Sequence, residues 1–362
     1  MTISIFDVLG AYCGMHYYDM AFAEILRNKK QKVLIYSNFS ECSNKKSKLP
    51  NVFSCGKFKG ILFLLYSYCL FLSLVLSLNK KKRIIYLTYG ELYELPFLLM
   101  ASLSNHIYVD VHEIHALKYK DDSKISKLFE IIYKKCINNV IYHSQRTFDV
   151  LKADGLRMLY VPHFKYVFKK TYDENQVADD MKRCFFENRR KFLFFGNLSM
   201  VKGIDTVLDV FKNMDESLNY ELVIAGKNVE KIDFSSIASD KIKVFDRHIN
   251  DDELVYLYSK TDYILLPYKK SSQSGIFAMA AYFHKPMLLS DIPYFRLMIE
   301  EFPSFGKLSK LYNFKELVKK SVNEDLSSYY SPNDIERFEM KKEIDHFLYE
   351  FLTENRDYNS FV

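Results

Sequence analysis

The chain of 362 residues contains no Trp, so its 16% aromatic content is Phe and Tyr alone. Its six cysteines, Cys13, Cys42, Cys55, Cys69, Cys136 and Cys184, are scattered. None forms a C-x-x-C pair, and no Cys/His group has zinc spacing. A disulfide framework is excluded, and a reducing compartment is expected. Eleven Gly and eight Pro are too few for a collagen-like or low-complexity chain. The start, MTISIFDVLGAYCG, lacks a basic region and a long apolar stretch, so no signal peptide is expected. The dinucleotide pattern G-x-G-x-x-G is missing too. No charge of one sign dominates: 51 Lys+Arg face 45 Asp+Glu, a net charge of +6. That is too weak to argue for nucleic acid as a partner.

What is present is apolar. Hydrophobic residues make up 49% of the chain, enough to fill two cores, and the length suggests two domains. In the first half, strand-like runs at Ile3–Val8, Val33–Ser37, Ile84–Leu87, Ile107–Asp110 and Val140–His143 alternate with helical stretches. The runs are continuously apolar, as in strands covered on both faces. Alternation of this kind predicts a doubly wound parallel sheet. A polar stretch over 169–190 reads as a linker. The alternation then restarts at Phe192–Phe195, Leu222–Ala225, Ile242–Phe245, Tyr263–Leu266 and Met287–Leu289. Ile335–Leu352 reads as one charged amphipathic helix. The expected organisation is therefore a domain over 1–168, a linker over 169–190, a second domain over 191–334, and a helix within 335–362 that packs back toward the first domain.

One segment, Ile61–Leu78, is uncharged for 18 residues and flanked by lysines on both sides. It is near the lower limit for a spanning helix. A core helix and a helix lying against a bilayer surface are the alternatives.

In open α/β sheets, ligands bind beyond the carboxyl ends of the strands. After Phe192–Phe195 comes Gly196-Asn197-Leu198-Ser199-Met200-Val201-Lys202-Gly203. A Gly after a strand lets backbone approach a phosphate, and Lys202 adds positive charge at a helix start. After Leu222–Ala225 comes Gly226, where a flat base could pack, or a plain turn. After Tyr263–Leu266 comes PYKKSSQSG, in which Ser272, Ser274 and Gly275 lie at a helix start. They form a nest of donors for an anion, or a simple Ser cap. In the first half, GAYCG (10–14), followed by His16, lies between the first strand and a helix expected over Tyr17–Arg27. Asp110-Val111-His112-Glu113-Ile114-His115 follows a strand and could position sugar hydroxyls or move a proton. His143-Ser144 and Pro162-His163 follow later strands.

Taken in order, these pieces resemble the GT-B glycosyltransferases of the large family-4-like group (glycosyl transferases group 1) of bacterial surface polysaccharide assembly. FFGNLSMVKGIDTVLDVF resembles that family's fGrl-x-x-x-KG-x-d-x-l segment. YELVIAGK resembles its l-x-i-v-G-x-G strand, and DRHINDDELVYLYSKTDYILLPY its stretch ending in ad-x-x-l-x-P. SSQSGIFAMAAYFHKPMLLSD resembles its donor-binding helix. The first half matches more loosely, through the glycine loop, VDVHE, VIYHSQRTFDVL and VPHF.

The resemblance implies a GT-B fold: two Rossmann-like, doubly wound parallel-sheet domains facing across a cleft. It implies that the second domain holds a nucleotide-sugar and the first a saccharide acceptor, without a metal or other cofactor. By position it implies catalytic roles for His112, near the transferred sugar, and Lys202, on the diphosphate. It places Gly14, Gly196, Asn197, Lys202, Gly226, Ser272, Ser274, Gly275 and Ile276 at the donor, and His16 and Glu113 at the acceptor. Two departures stand out. The family's diphosphate-binding Arg falls on Asn197, and its two glutamates fall on Ser272 and Ala280. The expected function is sugar transfer to a lipid-linked acceptor in O-antigen, capsule or exopolysaccharide synthesis. The alternative is a catalytically weak relative that only binds sugar or protein. A dinucleotide-dependent oxidoreductase is disfavoured by the missing glycine pattern.

The charge is uneven. Residues 1–83 carry a balance of +9, and the remainder −3. Basic residues beside an apolar helix suit an anionic membrane, or form a solvated face. The expected location is cytoplasmic, peripheral on the inner face of the cytoplasmic membrane.

Overall fold

The computed structural model describes residues 1–10, 15–39, 47–53, 55–114, 123–162, 168–185, 188–237, 239–271, 273–339 and 342–353. The side chains of 236, 342 and 343 are not described. The chain divides into two compact units, Met1–Val167 with Lys341–Val362, and Phe168–Met340.

The first unit is a six-stranded sheet of β1 (Thr2–Phe6), β2 (Lys32–Tyr36), β3 (Lys82–Thr88), β4 (Ile107–Val111), β5 (Asn139–Tyr142) and β6 (Arg157–Tyr160). Between them run α1 (His16–Asn28), α2 (Lys57–Leu76), α3 (Leu95–Ala101), α4 (Lys124–Cys136) and α5 (Gln145–Leu151). The order is β2-β1-β3-β4-β5-β6, and every pairing is parallel. Each apolar run becomes a strand because helices cover both sheet faces. All five residues of β4 are buried. β6 has no counterpart among the expected strands, since RMLY is half exposed at the sheet edge.

The second unit contains α6 (Asp179–Lys182), β7 (Arg190–Phe195), α7 (Ile204–Lys212), β8 (Tyr220–Gly226), β9 (Ile242–Asp246) and α8 (Asp251–Lys260). It continues with β10 (Tyr263–Leu266), α9 (Gly275–Tyr282), β11 (Met287–Ser290), α10 (Pro293–Glu301), β12 (Gly306–Ser309), α11 (Phe314–Ser321) and α12 (Pro332–Glu339). The order β12-β11-β10-β7-β8-β9 makes a second six-stranded parallel sheet. β12 and α10 went unanticipated, β12 because GKLS is a short, half-polar edge strand.

Two expectations change here. Residues 169–190 are not a bare tether. The Asp173 N–H donates to Asp252 at 2.7 Å, and Lys169 pairs with the same carboxylate at 2.6 Å. The Tyr256 hydroxyl donates to the carbonyl of Lys182. The carboxylates at the start of α8 thus hold the polar stretch against the second unit. The tail also forms two helices, because its apolar residues serve different cores. Phe338 of α12 packs edge-on against Phe302 and Phe305. In α13 (Lys342–Thr353), Phe351 meets Tyr108 and Phe347 meets Phe22 in the first unit. The Arg157 guanidinium donates to the Glu350 carbonyl at 2.7 Å.

Candidate active site

In the second unit, β10, β7 and β8 are neighbours. The loops after them therefore lie side by side, where the strand order reverses, as in ligand-binding α/β sheets. After β7 the chain turns at Gly196 (φ +111°). A Cβ on Gly226 (φ +141°) would stand 1.8 Å from the Gly196 carbonyl oxygen. Only glycine permits this approach of two backbones. Gly203 (φ +77°) is equally constrained, since a Cβ there would stand 1.9 Å from the Pro267 carbonyl oxygen. The Lys269 N–H donates to the Val201 carbonyl at 3.0 Å. The loops after β7 and β10 are thus bonded to each other.

Lys202 ends the short turn Met200–Lys202 that precedes α7. Its Nζ lies 4.0 Å from the ring centre of Tyr268, a cation–π contact that fixes the ammonium over a buried aromatic. Tyr268 was missed in the sequence, where it reads as one more residue of a polar loop. Ser274 is the N-cap of α9, its Oγ accepting the Phe277 N–H at 3.2 Å. The hydroxyl sits 3.4 Å from the Tyr268 hydroxyl. The Ser274 side chain is therefore engaged within the fold. Gly275 and Ile276 open the helix, where first-turn N–H groups have no intrahelical acceptor. Ile276 lies across from Gly196, its side chain 3.5 Å from where a Cβ would be. Asn197 is exposed beside them. Ser272 lies outside the described residues.

In the first unit, the ends of β4 and β5 build a buried polar cluster. Asp110 accepts from the Tyr18 hydroxyl at 2.7 Å, and its Oδ1 lies 2.6 Å from His143 Nε2. His143 Nδ1 lies 2.9 Å from the Val161 carbonyl. His112 Nε2 is 3.6 Å from Asp110 Oδ1. The His112 ring meets Tyr18 edge-on and stacks on Tyr89. Burial would raise Asp110, but the imidazoles of His143 and His112 hold it well below the usual carboxylate range. Burial pushes His112 down, against the pull of Asp110.

Supporting groups were not legible in the sequence. Asp7 accepts the Leu9 and Gly10 N–H groups, both at 2.9 Å. Burial pushes its carboxyl up to about 6. Glu94 receives the Tyr89 and Glu91 N–H groups and the Thr88 hydroxyl. It thereby holds the turn that carries Tyr89; burial pushes its carboxyl up to about 8, against those N–H groups. Of the acceptor-side residues, His16 is the first residue of α1, beside Tyr17 and Phe39. Glu113 follows His112, half-buried. Gly14, His115 and His163 lie outside the described residues.

Residues 177–322 match the family model described as glycosyl transferases group 1. This stretch is a glycosyl transferases group 1 domain. Solved structures agree on the fold along nearly the whole chain. A sucrose-phosphate synthase from Thermosynechococcus elongatus aligns with a TM-score of 0.66 at 13% identity, covering 93% of this chain and 94% of that one. WaaG, a glycosyltransferase involved in lipopolysaccharide biosynthesis, aligns with a TM-score of 0.65 at 14% identity, covering 98% and 100%. Anabaena HepE, solved in complex with UDP and glucose, aligns with a TM-score of 0.64 at 10% identity, covering 97% and 98%. No curated protein matches by sequence. The chain has the GT-B fold of these glycosyltransferases.

Within the group 1 domain, the ordered motifs coincide with the loops just described. Lys202, Gly196, Gly226, Gly275 and Ile276 all fall at the carboxyl ends of β7, β8 and β10. In this chain the position of the usual Arg, Asn197, is uncharged, and Ala280 is buried in α9. In the first unit, Asp110, His112 and His143 have ligand atoms within 4.8 Å of one another, a set that could hold a metal ion. Here Asp110 is instead occupied by hydrogen bonds from Tyr18 and His143.

Proposed function

We propose that this GT-B enzyme transfers a sugar from a nucleotide-sugar to a saccharide on a lipid-linked acceptor, in surface polysaccharide synthesis at the inner face of the cytoplasmic membrane. One observation carries the donor reading. Three adjacent strand ends present two backbone-exposing glycines, the first turn of α9 and a Lys held on Tyr268. That combination suits a diphosphate: N–H groups and one fixed cation stabilise the negative charge of the leaving group. No metal is assigned to this step. Gly226 serves the nucleoside, and Gly196, Asn197, Lys202, Ser272, Ser274, Gly275 and Ile276 the diphosphate end. His112, kept neutral by burial, serves the reacting sugar, and His16 and Glu113 the acceptor.

The test is a panel of nucleotide-sugars incubated with a lipid-linked saccharide pool, read by mass. A product heavier by one glycosyl residue is expected with one donor. Asn197, Ser272 and Ala280 favour a second reading, a weak relative that binds donor without turnover. Tight nucleotide binding with no transfer to any acceptor would establish that reading instead.

A further inference from the structure

Helix α2 is apolar all round, yet only four of its 20 residues are buried. Its inner stripe, Gly60, Ser67, Phe71 and Val75, is buried against the first unit. Phe71 contacts Phe6, Tyr86 and Phe97, and the Tyr68 hydroxyl donates to the Tyr93 carbonyl. Its outer stripe is where a helix of this kind normally carries charge. Here it carries Phe58 (75% exposed), Ile61 (59%), Leu62 (48%), Leu65 (51%), Leu72 (38%) and Leu76 (77%). The apolar surface continues onto the adjoining helix α3 at Leu99, 53% exposed.

The sheet rules out a span. β2 precedes α2 and β3 follows it, and both pair with β1. The two ends of the helix therefore belong to one sheet and cannot lie on opposite sides of a bilayer.

Charge selects the occupant. From Cys42 to Gly90 there is no Asp or Glu, while Lys57, Lys59, Lys80, Lys81 and Lys82 bracket the helix. Basic residues at both ends give a spanning helix no orientation. For a helix lying in the plane, both ends meet the same anionic surface.

We propose that α2 is an in-plane membrane anchor: its outer stripe enters the acyl boundary of an anionic leaflet, and its flanking lysines sit among the headgroups. This rests on the lipid-linked acceptor reading, because the anchor would hold the first unit at the surface where such an acceptor lies. Each inserted Leu contributes about tenfold or more in partitioning, and each Lys close to the surface about fivefold.

The lack of native Trp makes a clean probe. In the full chain, Leu65→Trp is expected to shift its emission to the blue with phosphatidylcholine/phosphatidylglycerol vesicles, and to be quenched by brominated acyl chains. Binding is expected to weaken with salt and to fall at least tenfold in Leu62→Glu or Leu72→Glu. Lys80→Gln with Lys81→Gln should reduce binding to anionic vesicles only. Transfer to a soluble acceptor analogue should be unchanged in all these variants. A probe that stays water-exposed with anionic vesicles at low salt overturns the proposal. So does a concentration-dependent dimer that buries Leu65 and excludes vesicles. Vesicle binding by a chain without transferase activity would sink the functional reading alone.

Discussion

His143 Nε2 lies 2.6 Å from Asp110 Oδ1, while its Nδ1 lies 2.9 Å from the Val161 carbonyl. Both partners are acceptors: the carbonyl has no proton, and Asp110 is held ionised. His143 therefore bridges the Val161 carbonyl and the Asp110 carboxylate beside His112, and the Tyr18 hydroxyl fills the second carboxylate oxygen.

Removing His143 leaves the buried Asp110 carboxylate short of one hydrogen-bond partner, at a cost of about 1–3 kcal/mol. His143→Gln is expected to lose about that much in urea denaturation. Asp110→Asn combined with His143→Gln removes the buried charge along with its partner and should recover most of the loss. A double variant no more stable than His143→Gln would refute the pairing.

His112 has its own signature. Burial lowers it below its ordinary 6.5, so in the window just under 6.5 the unfolded chain binds a proton that the folded chain does not. Stability from this group is full above 6.5 and declines as pH falls toward the folded value. His112→Asn should lose less stability than the parent between pH 7.5 and 5.5. Equal declines in urea midpoint would contradict this.

Lys202→Ala should lower turnover by about 10²-fold or more, because one preorganised charge on the leaving diphosphate is lost. Single-turnover rates with saturating donor provide the check. Tyr268→Leu keeps the charge but removes the aromatic seat, and should fall between the parent and Lys202→Ala.

Gly203→Ala places a Cβ against the Pro267 carbonyl at a left-handed backbone position. The loops after β7 and β10 must separate, at about 1–3 kcal/mol for the strain. Nucleoside diphosphate affinity should fall together with thermal stability. An unshifted melting temperature would mean that the turn adapts freely.

Much of the architecture was already legible along the chain. Runs such as Tyr263–Leu266 are apolar on both faces because helices cover both faces of the sheet, and that constraint is local to each strand. The donor loops were legible for a similar reason. Gly196 and Gly226 mark strand ends where the backbone must turn sharply, Lys202 lies in the loop after Gly196, and Ser274 directly precedes Gly275 at the start of α9.

Tertiary structure decided everything that depends on distant partners. Asp110 meets His143 across 33 positions, because β4 and β5 are parallel neighbours in one register. Tyr268 becomes a seat for Lys202 only when two loops are hydrogen-bonded together, and Ser274 proves to be a helix cap rather than a free hydroxyl. Glu94 supports Tyr89, and through it His112, by bonds that no spacing predicts. The apolar stretch Ile61–Leu78 fits a core helix, a span or a surface helix by composition alone. The sheet excludes the span, because pairing β1 with both β2 and β3 ties down the two ends of α2, and only the fold shows which stripe of the helix is left exposed.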